Sequence, residues 1–372
     1  MRDCRASVVV LYNHVGDDEY EKMKEVDPST LDFKPEYDIH VSTVEEEYKA
    51  VVKALRKENF RARAYNLKED IRRLHRLLSR NPPDVIFNLV EYFHDDSKLE
   101  AQVAGMYELF RVAYTGASPF ALNICQRKGL AKQILLANDV PTPRFKILTE
   151  PKIQKRHGLH YPLIVKPARE DASAGVTKDS VVYDYAALKK RLDLVFSEFA
   201  PPILVEEFIQ GRELHVSVLG NDPPVVLPSI EFDFSNLPSD HPHLISYDVK
   251  WNPLDESYHQ VHTTCPAKLT KRELKNVEKI AQAAYKTLGC RDYARLDLRL
   301  GEHSHVYVLE VNPNPDLTES VSFMESAEEA GISFSQTLGR IVEYALERRV
   351  PKSEEPESAP APVTDSGKSV KQ

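Results

Sequence analysis

The stretch Tyr-Ala-Arg-Leu-Asp-Leu-Arg-Leu at 293–300, followed by Val-Tyr-Val-Leu-Glu-Val-Asn-Pro-Asn-Pro at 306–315, decides the fold. In both halves apolar and polar side chains alternate, which is typical of strands that bury one face. The intervening Gly-Glu-His-Ser at 301–304 can close an antiparallel hairpin. The sequence therefore predicts a β-hairpin with one face in a core and one polar face.

The polar face of this hairpin carries hard oxygen ligands. The predicted register places Arg295 opposite Glu310. It also places Asp297 opposite Val308, so that Asp297, Glu310 and Asn312 share a face. Two carboxylates and an amide oxygen are ligands that magnesium takes alongside phosphate oxygens. A solvated polar face is the ordinary alternative, but the apolar opposite face and the Pro-rich turn that follows favour a metal site at a cleft.

Composition excludes several classes of protein. The 372 residues suggest two or three structural units, and 42% hydrophobic residues suffice for buried cores. The net charge of −8 without a basic block argues against nucleic-acid binding. Apolar runs are too short for a membrane span, and four scattered cysteines are typical of reduced thiols. We therefore expect a cytoplasmic protein that binds neither nucleic acid nor membrane, and a homodimer is compatible with the sequence.

The N-terminal part, residues 1–117, alternates predicted strands with predicted helices. The strands are predicted at 7–12, 60–65, 84–90 and around Tyr114, and the helices at 44–57, 71–78 and 99–110. Such alternation indicates an α/β domain with a parallel sheet, whose ligands bind at the carboxyl ends of the strands. The polar, aperiodic region 16–40 is predicted to be an extended loop.

The remainder is predicted to form two lobes, residues 118–204 and 205–350. Predicted helices cover 118–139, 186–199, 270–288 and 334–348, and predicted strands cover 145–148, 161–168, 180–183, 203–209, 213–219 and 225–232. Thr270 and Glu273 form a capping-box pattern at the start of the third helix. The region 238–266 is predicted to be a long ordered loop, and the Pro- and Ser-rich tail 351–372 to be disordered.

Two lysines suit phosphate binding. Lys166 ends an apolar strand and precedes a loop of small residues that contains Ser173, which offers a point charge beside backbone N–H groups. Lys128 lies on a helix, where a lysine is ordinarily solvated. The loop alone is weak evidence, because polar turns are common.

A possible nucleoside slot follows another predicted strand. Glu206 and Glu207 end this strand and precede Phe208 and Ile209, so that backbone groups beside an apolar surface could read a base. Glu213 could accept hydrogen bonds from ribose hydroxyls. Two surface acids at a strand end would be the ordinary interpretation of these residues if they stood alone.

From about residue 85 to 346 the chain resembles the D-alanine–D-alanine ligase-like branch of the ATP-grasp enzymes. The motifs that carry the resemblance are Tyr-Thr-Gly (114–116), Lys128, Leu-Ile-Val-Lys-Pro (163–167), Glu-Glu-Phe-Ile (206–209), Glu-Leu (213–214), Tyr-Asp-Val-Lys-Trp (247–251), Ala-Arg-Leu-Asp (294–297) and Glu-Val-Asn-Pro-Asn-Pro (310–315). Their order and spacing are specific. The resemblance implies an N-terminal parallel-sheet domain followed by a two-lobed ATP-grasp domain of α+β type.

The resemblance also implies a division of roles. ATP would be bound by residues of both lobes, namely Lys128, Lys166, Ser173, Glu206, Glu207, Phe208, Ile209 and Glu213. Magnesium or manganese would be held by Asp297, Glu310 and Asn312. Lys250 would reach the γ-phosphate, and Arg295 would stabilise a tetrahedral intermediate. These roles describe an ATP-dependent ligase that joins a carboxylate to an amine through an acyl phosphate, acting on small amino-acid-like substrates.

The chain departs from the family pattern at several positions, most of them in its N-terminal part. The Glu-Arg-Glu-Val-Ser-like run that positions the first amino acid in D-alanine–D-alanine ligases is missing, and Asp316 replaces the glycine that follows the magnesium-binding Asn-containing motif. At 89–96, Leu-Val-Glu-Tyr-Phe-His-Asp-Asp replaces a Gly-rich segment. We therefore expect a substrate other than D-alanine.

The replaced segment contains candidate substrate residues just past the third predicted strand, namely Glu91, His94, Asp95 and Asp96. Such a position at the carboxyl end of a parallel strand suits a ligand, and carboxylates suit a substrate ammonium group. A solvated acidic loop before a helix is an equal alternative. For the whole protein, two other functions stay open: a phosphotransferase on the same scaffold and a nucleotide-binding protein without turnover.

Overall fold

The computed structural model describes residues 5–16, 19–39, 41–170, 173–239, 241–319 and 321–349. The tail at 351–372, predicted to be disordered, lies outside the described residues. Among the helices described, none is both long enough and apolar enough to cross a membrane.

The N-terminal part forms the predicted parallel sheet, with strand order β2-β1-β3-β4. Its elements are β1 Ser7–Tyr12, α1 Glu19–Met23, α2 Val44–Lys57, β2 Arg61–Asn66, α3 Ile71–Arg80, β3 Val85–Leu89, α4 Glu100–Leu109 and β4 Ala113–Tyr114. Helix α2 starts with a capping box, because Thr43 Oγ1 accepts from Glu46 N and the Glu46 carboxylate accepts from Thr43 N. The described residues of the region 16–40 include α1 and a 3-10 turn at Pro28–Thr30, so that they are more structured than the predicted loop.

The second sheet is antiparallel, with order β5-β8-β6-β7. Its elements and the helices around it are α5 Pro119–Cys125, α6 Lys128–Ala137, β5 Phe145–Leu148, β6 Leu163–Pro167, β7 Val181–Val182, α7 Tyr185–Glu198 and β8 Ile203–Glu207. The prediction of one helix over 118–139 is wrong, because Arg127 adopts a non-helical conformation with φ −104° and ψ 78°. The break places Lys128 in the first turn of α6, where its backbone N–H donates to Ala168 O.

The third sheet is the largest, with order β12-β11-β9-β13-β14 and β10 paired to β9. Its elements and the helices around it are β9 Arg212–Leu219, β10 Val225–Val226, β11 Ile230–Asp233, α8 Tyr247–Trp251, α9 Glu256–Gln260, β12 His262–Thr264, α10 Lys271–Thr287, β13 Tyr293–Leu300, β14 Val306–Asn312, α11 Ser322–Glu329 and α12 Phe334–Glu347. Helix α10 begins with the predicted Thr270–Glu273 capping box. Helix α12 returns to pack on α2 in a shared hydrophobic core.

The predicted hairpin exists, but its predicted register is wrong. Arg295 pairs with Asn312, and Asp297 pairs with Glu310. The next residue, Leu298, pairs with Val308, which leaves Leu309 as the extra residue of a β-bulge. A bulge shifts the alternation by one residue, so that side chains on either side of it no longer follow a single period. As a result the two carboxylates lie directly opposite each other rather than on a diagonal.

The region 238–266 was predicted to be a long ordered loop, but it contains regular secondary structure. Residues 247–264, called the cover segment below, contain α8, α9 and the edge strand β12. Val249 and Val261 bury their side chains against Phe234 and Leu237, which anchors the cover segment to the third sheet. Helix α11 was not predicted either. The predicted boundary between residues 204 and 205 falls inside β8.

Candidate active site

A cleft of about 100 Å³ lies between the second and third sheets. It is lined by all eight residues predicted to bind ATP: Lys128, Lys166, Ser173, Glu206, Glu207, Phe208, Ile209 and Glu213. We call it the nucleotide cleft. The predicted residues come from α6, β6, β8, β9 and the loops after β6 and β8, so the fold collects them from distant parts of the chain.

The charged residues of the nucleotide cleft are already paired with one another. Glu206 contacts two lysine ammoniums, at 2.7 Å from Lys166 Nζ and 2.9 Å from Lys132 Nζ. Burial alone would raise the pKa of Glu206, but Lys132 and Lys166 outweigh it and hold that pKa below its ordinary value. Lys128 Nζ lies 3.1 Å from Glu310 Oε2 and donates to Glu170 O. The cleft therefore presents ammonium groups that are fixed before a ligand binds.

The slot predicted for a nucleoside contains an additional cation. Arg299 Nη2 lies 2.7 Å from Glu213 Oε2, and its guanidinium lies 5.0 Å from the centre of the Phe208 ring. Burial raises the pKa of Glu213 despite the attraction of Arg299. The Phe208 backbone N–H is already bonded to Pro162 O. Sequence reasoning missed Arg299, although the alternation along β13 places it on the same face as Asp297.

The three predicted metal ligands lie at the border between the nucleotide cleft and a neighbouring cavity. Arg295 Nε donates to Asp297 Oδ1 at 2.8 Å, and His215 Nε2 lies 3.4 Å from the same oxygen. Burial would raise the pKa of Asp297, but Arg295 and His215 hold it well below its ordinary value. Asp297 and Glu310 line the nucleotide cleft, whereas Asn312 lines the neighbouring cavity.

The side chains of this site suit magnesium that is also bound by water and phosphate, rather than a metal ion bound by protein side chains alone. Among the described residues no cluster of three or more His, Cys, Asp or Glu side chains could hold a metal ion. Magnesium is ordinarily bound through one or two carboxylates and completed by water and substrate phosphate oxygens. Asp297 and Glu310, opposite each other on β13 and β14, supply that pair of carboxylates.

A second cavity of about 400 Å³ adjoins the nucleotide cleft, and we call it the substrate cavity. Arg295 and Asn312 line its inner end, and Lys250 borders both spaces. Burial, and then the positive charge of Arg295, lowers the pKa of Lys250. The Lys250 ammonium also lies 5.0 Å from the centre of the Trp251 ring. Lys250 therefore lies at the junction where a phosphate in the cleft would meet a group in the substrate cavity.

The four candidate substrate residues separate in the structure. Glu91 lines the substrate cavity, whereas the other three do not. His94 Nδ1 lies 3.2 Å from Glu69 Oε2 on the exposed surface. Asp96 accepts from Lys98 N and so caps a short 3-10 turn, and Asp95 is exposed beside it. Only Glu91 is therefore placed to contact a substrate.

Sequence reasoning missed several residues of the substrate cavity. His215 is buried on β9, where burial lowers its pKa to about 3 and Nδ1 lies 2.9 Å from Ser322 Oγ. Glu325 of α11 and Tyr37 also line the cavity. His215 could have been identified, because it is a polar residue within the apolar strand β9. Nothing in the sequence connected α11 or Tyr37 with this site.

Comparisons with known proteins find relatives of this chain. A family model described as the D-ala D-ala ligase C-terminus matches residues 134–343. An uncharacterized protein of Sinorhizobium fredii, y4sG, is 33% identical over 274 residues, which cover 72% of this chain and 78% of the relative. The D-alanine–D-alanine ligase of Carboxydothermus hydrogenoformans is 31% identical over 262 residues, which cover 67% of this chain and 78% of that ligase.

A solved structure has the same fold. The crystal structure of D-alanine–D-alanine ligase from Bacillus anthracis complexed with ATP matches 93% of this chain and 99% of its own, with a TM-score of 0.68 and 22% identity. The predicted α/β class is thereby confirmed, and the fold defines an ATP-grasp protein. More narrowly, the chain belongs to the D-alanine–D-alanine ligase-like family of ATP-binding ligases.

Proposed function

We propose that the protein is an ATP- and magnesium-dependent ligase that joins the carboxylate of one amino-acid-like substrate to the amine of another. The observation that carries this proposal is the position of Lys250 between two adjoining spaces. One space is lined by the lysines and carboxylates that suit a nucleotide, and the other by Arg295 at its inner end. A ligase of this kind needs both spaces to share one reacting centre.

The first step transfers a phosphoryl group to the donor carboxylate. A carboxylate oxygen attacks the γ-phosphorus of ATP, the bond between this phosphorus and the β,γ-bridging oxygen breaks, and ADP leaves. Lys128 and Lys166 would bind the phosphates, and Lys250 would offset the negative charge gathered on the transferred group. Asp297, Glu310 and Asn312 would hold magnesium, which neutralises phosphate charge when bound.

The second step forms the amide. The amine nitrogen of the acceptor attacks the acyl carbon, the bond from this carbon to the phosphate oxygen breaks, and phosphate leaves while the nitrogen releases a proton. Arg295 would stabilise the oxyanion of the tetrahedral intermediate, because its guanidinium is buried and held in place by Asp297. The cover segment would keep water from the acyl phosphate.

The composition of the substrate cavity supports a substrate other than D-alanine. Four carboxylate residues line it, against two cations at its inner end, and large aromatic rings form much of its wall. The carboxylates are Glu91, Glu100, Asp316 and Glu325, and the cations are Lys250 and Arg295. A substrate with an ammonium group beside a bulky apolar part would complement these walls.

The test is a phosphate-release screen of pairs of amino acids, in both stereochemical series, with hydroxylamine present to trap acyl phosphate. Phosphate release that requires both substrates, together with a hydroxamate formed from the donor alone, would support the proposal. Release with one substrate and a stable phosphorylated product would instead identify a phosphotransferase. Binding of ATP without release for any pair would identify a protein without turnover.

A further inference from the structure

Residues 33–39 form a strap that runs from the N-terminal domain onto the cover segment. The sequence left this region without a role. The strap lies more than 200 residues away in sequence from its partners, yet several hydrogen bonds and ring contacts hold it in place. Because the cover segment carries Lys250, the strap links the N-terminal domain to the proposed reacting centre.

His259 joins the strap to the cover segment. Its Nδ1 accepts from the backbone N–H groups of Glu36, at 3.2 Å, and Tyr37, at 3.1 Å. Since Nδ1 accepts, Nε2 carries the proton and donates to Pro253 O at 2.9 Å. The His259 side chain is buried, and the Phe33 and Tyr37 rings pack against it. The imidazole end of this bridge is buried, whereas Glu36 and Tyr37 at the strap end are exposed.

Tyr37 adds a second connection and also faces the substrate cavity. Its hydroxyl lies 2.7 Å from His262 Nδ1, and its ring meets the Tyr258 ring edge-on at 6.1 Å. Both tyrosines line the substrate cavity. Burial is the largest cause of the raised pKa of Tyr37, and the charges of Glu36 and, to a smaller extent, Glu325 add to it. Tyr37 is therefore at once a wall of the cavity and a contact that holds the cover segment.

We propose that Tyr37 is a specificity-determining and positioning residue. Its ring lines the substrate cavity and sets the size of the side chain that fits there. A substrate that packs against the ring also stabilises the strap on the cover segment, and thereby the position of Lys250. The inference rests on the proposed function, because it assigns this cavity to the amino-acid-like substrate.

The kinetic test uses Tyr37→Ala, Tyr37→Phe and a matched control, Tyr183→Ala, whose ring is 63% exposed and lines neither space. Tyr37→Ala should raise the KM of the amino-acid-like substrate by about 10-fold or more and extend the accepted range to larger side chains. The KM for ATP should change by less than about 2-fold. Tyr37→Phe, which keeps the ring, should keep the size limit. An unchanged substrate range in Tyr37→Ala would overturn the specificity role.

A second readout does not depend on turnover. Trp251 is the single tryptophan of the chain and lies in the cover segment next to Lys250. Because Trp251 also lines the substrate cavity, acrylamide quenching of its fluorescence reports on solvent access to the cover segment at that cavity. We expect quenching of Trp251 to be stronger in Tyr37→Ala than in the wild type, and unchanged in Tyr183→Ala. Equal quenching in wild type and Tyr37→Ala, with both folded by circular dichroism, would overturn the positioning role.

The two readouts separate this inference from the proposed function. If the wild type turns over no pair of substrates, the proposed ligase function fails, but the quenching comparison still decides whether the strap holds the cover segment. If the wild type is active and Tyr37→Ala has the same substrate range and the same quenching, the ligase function stands and the inference fails.

Discussion

The nucleotide cleft and the substrate cavity share Lys250 but are built differently. The cleft is about 100 Å³. Each of its buried carboxylates lies within about 3 Å of a lysine or arginine nitrogen, as seen for Glu206, Glu213 and Glu310. The cavity is about 400 Å³, and aromatic rings and four carboxylate residues dominate its wall. The cleft thus has its charges positioned before binding, while the cavity has room and charge to be complemented by a substrate.

The two spaces therefore differ in which property they can change: the cleft determines the reaction step, and the cavity determines the choice of substrate. Charges that are fixed in advance stabilise charge developing in a reaction without reorganisation, and they suit a step that is the same for every member of a family. The walls of the cavity come from the strap (33–39), the cover segment and α11. Substitutions in these separate segments can therefore alter which substrate binds. Substitutions in the cleft should therefore affect turnover or folding, and those in the cavity should affect the choice of substrate.

The largest effect is expected from Glu310→Gln. The proposed metal site loses one of its two carboxylates, so turnover should fall by about 10³-fold, which equals about 4 kcal/mol in the transition state, while ATP affinity falls less. Steady-state kinetics and calorimetry with and without magnesium measure the two quantities. Glu302→Gln, an exposed acid in the same hairpin, is the control and should change neither turnover nor ATP affinity. Nucleotide binding that is the same with and without magnesium would contradict the metal assignment.

The second effect is on stability. Lys132 is fully buried against Glu206, so Lys132→Met leaves this carboxylate with Lys166 alone and should lower the free energy of unfolding by about 3 kcal/mol. Urea denaturation measures the loss. Lys146→Met, on the exposed face of β5, should change stability by less than about 0.5 kcal/mol. A Lys132→Met variant as stable as the wild type would show that the cleft does not depend on pairing its charges.

The same contrast explains what the sequence could predict. Helix α2 has the bounds predicted from its apolar spacing. Most cleft residues lie at or near the ends of apolar strands and within the family motifs, so the sequence was sufficient to identify them. The common face of Asp297 and Glu310 was predicted correctly from a wrong register. The bulge at Leu309 depends on how two strands meet, which a single-strand period does not record.

The substrate cavity was largely beyond local reasoning. The strap has no periodicity, and its hydrogen bonds to His259 span 222 and 223 residues. Helix α11 is only eight residues long, so its apolar positions form no clear stripe. Glu91 was identified because it follows a parallel strand, a rule that applies at the end of β3 but not to His94, Asp95 and Asp96, which do not line the cavity.

The third effect falls on the boundary between the two regions. Lys250→Ala should lower kcat by about 10²-fold with little change in the KM for ATP, as expected for a group that acts mainly in the transition state. Lys268→Ala, an exposed lysine after the cover segment, is the matched control. If affinity for ATP and kcat fell by the same factor, Lys250 would be an ordinary ground-state contact of the cleft.

The smallest effect should fall on the substrate cavity alone. Glu325 is half-buried on α11, and burial raises the pKa of its carboxyl. A buried carboxylate that contacts a substrate ammonium contributes about 1.5–3 kcal/mol. Glu325→Gln should therefore raise the KM of the amino-acid-like substrate by about 10-fold, and Glu91→Gln, at an exposed residue of the cavity wall, should raise it by less. Both should leave the KM for ATP unchanged. Glu328→Gln, an exposed acid on the same helix, is the control.

The pH dependence of this KM gives a sharper version of the prediction. A carboxyl with a raised pKa becomes neutral at a higher pH than usual, so the wild-type KM should rise as pH falls through that raised value. In Glu325→Gln the charge is absent at every pH, so this rise should be missing and the two proteins should converge at low pH. Two results would mean that Glu325 of α11 does not bind the ammonium group. One is a wild-type KM that is independent of pH, and the other is a Glu328→Gln variant that behaves like Glu325→Gln.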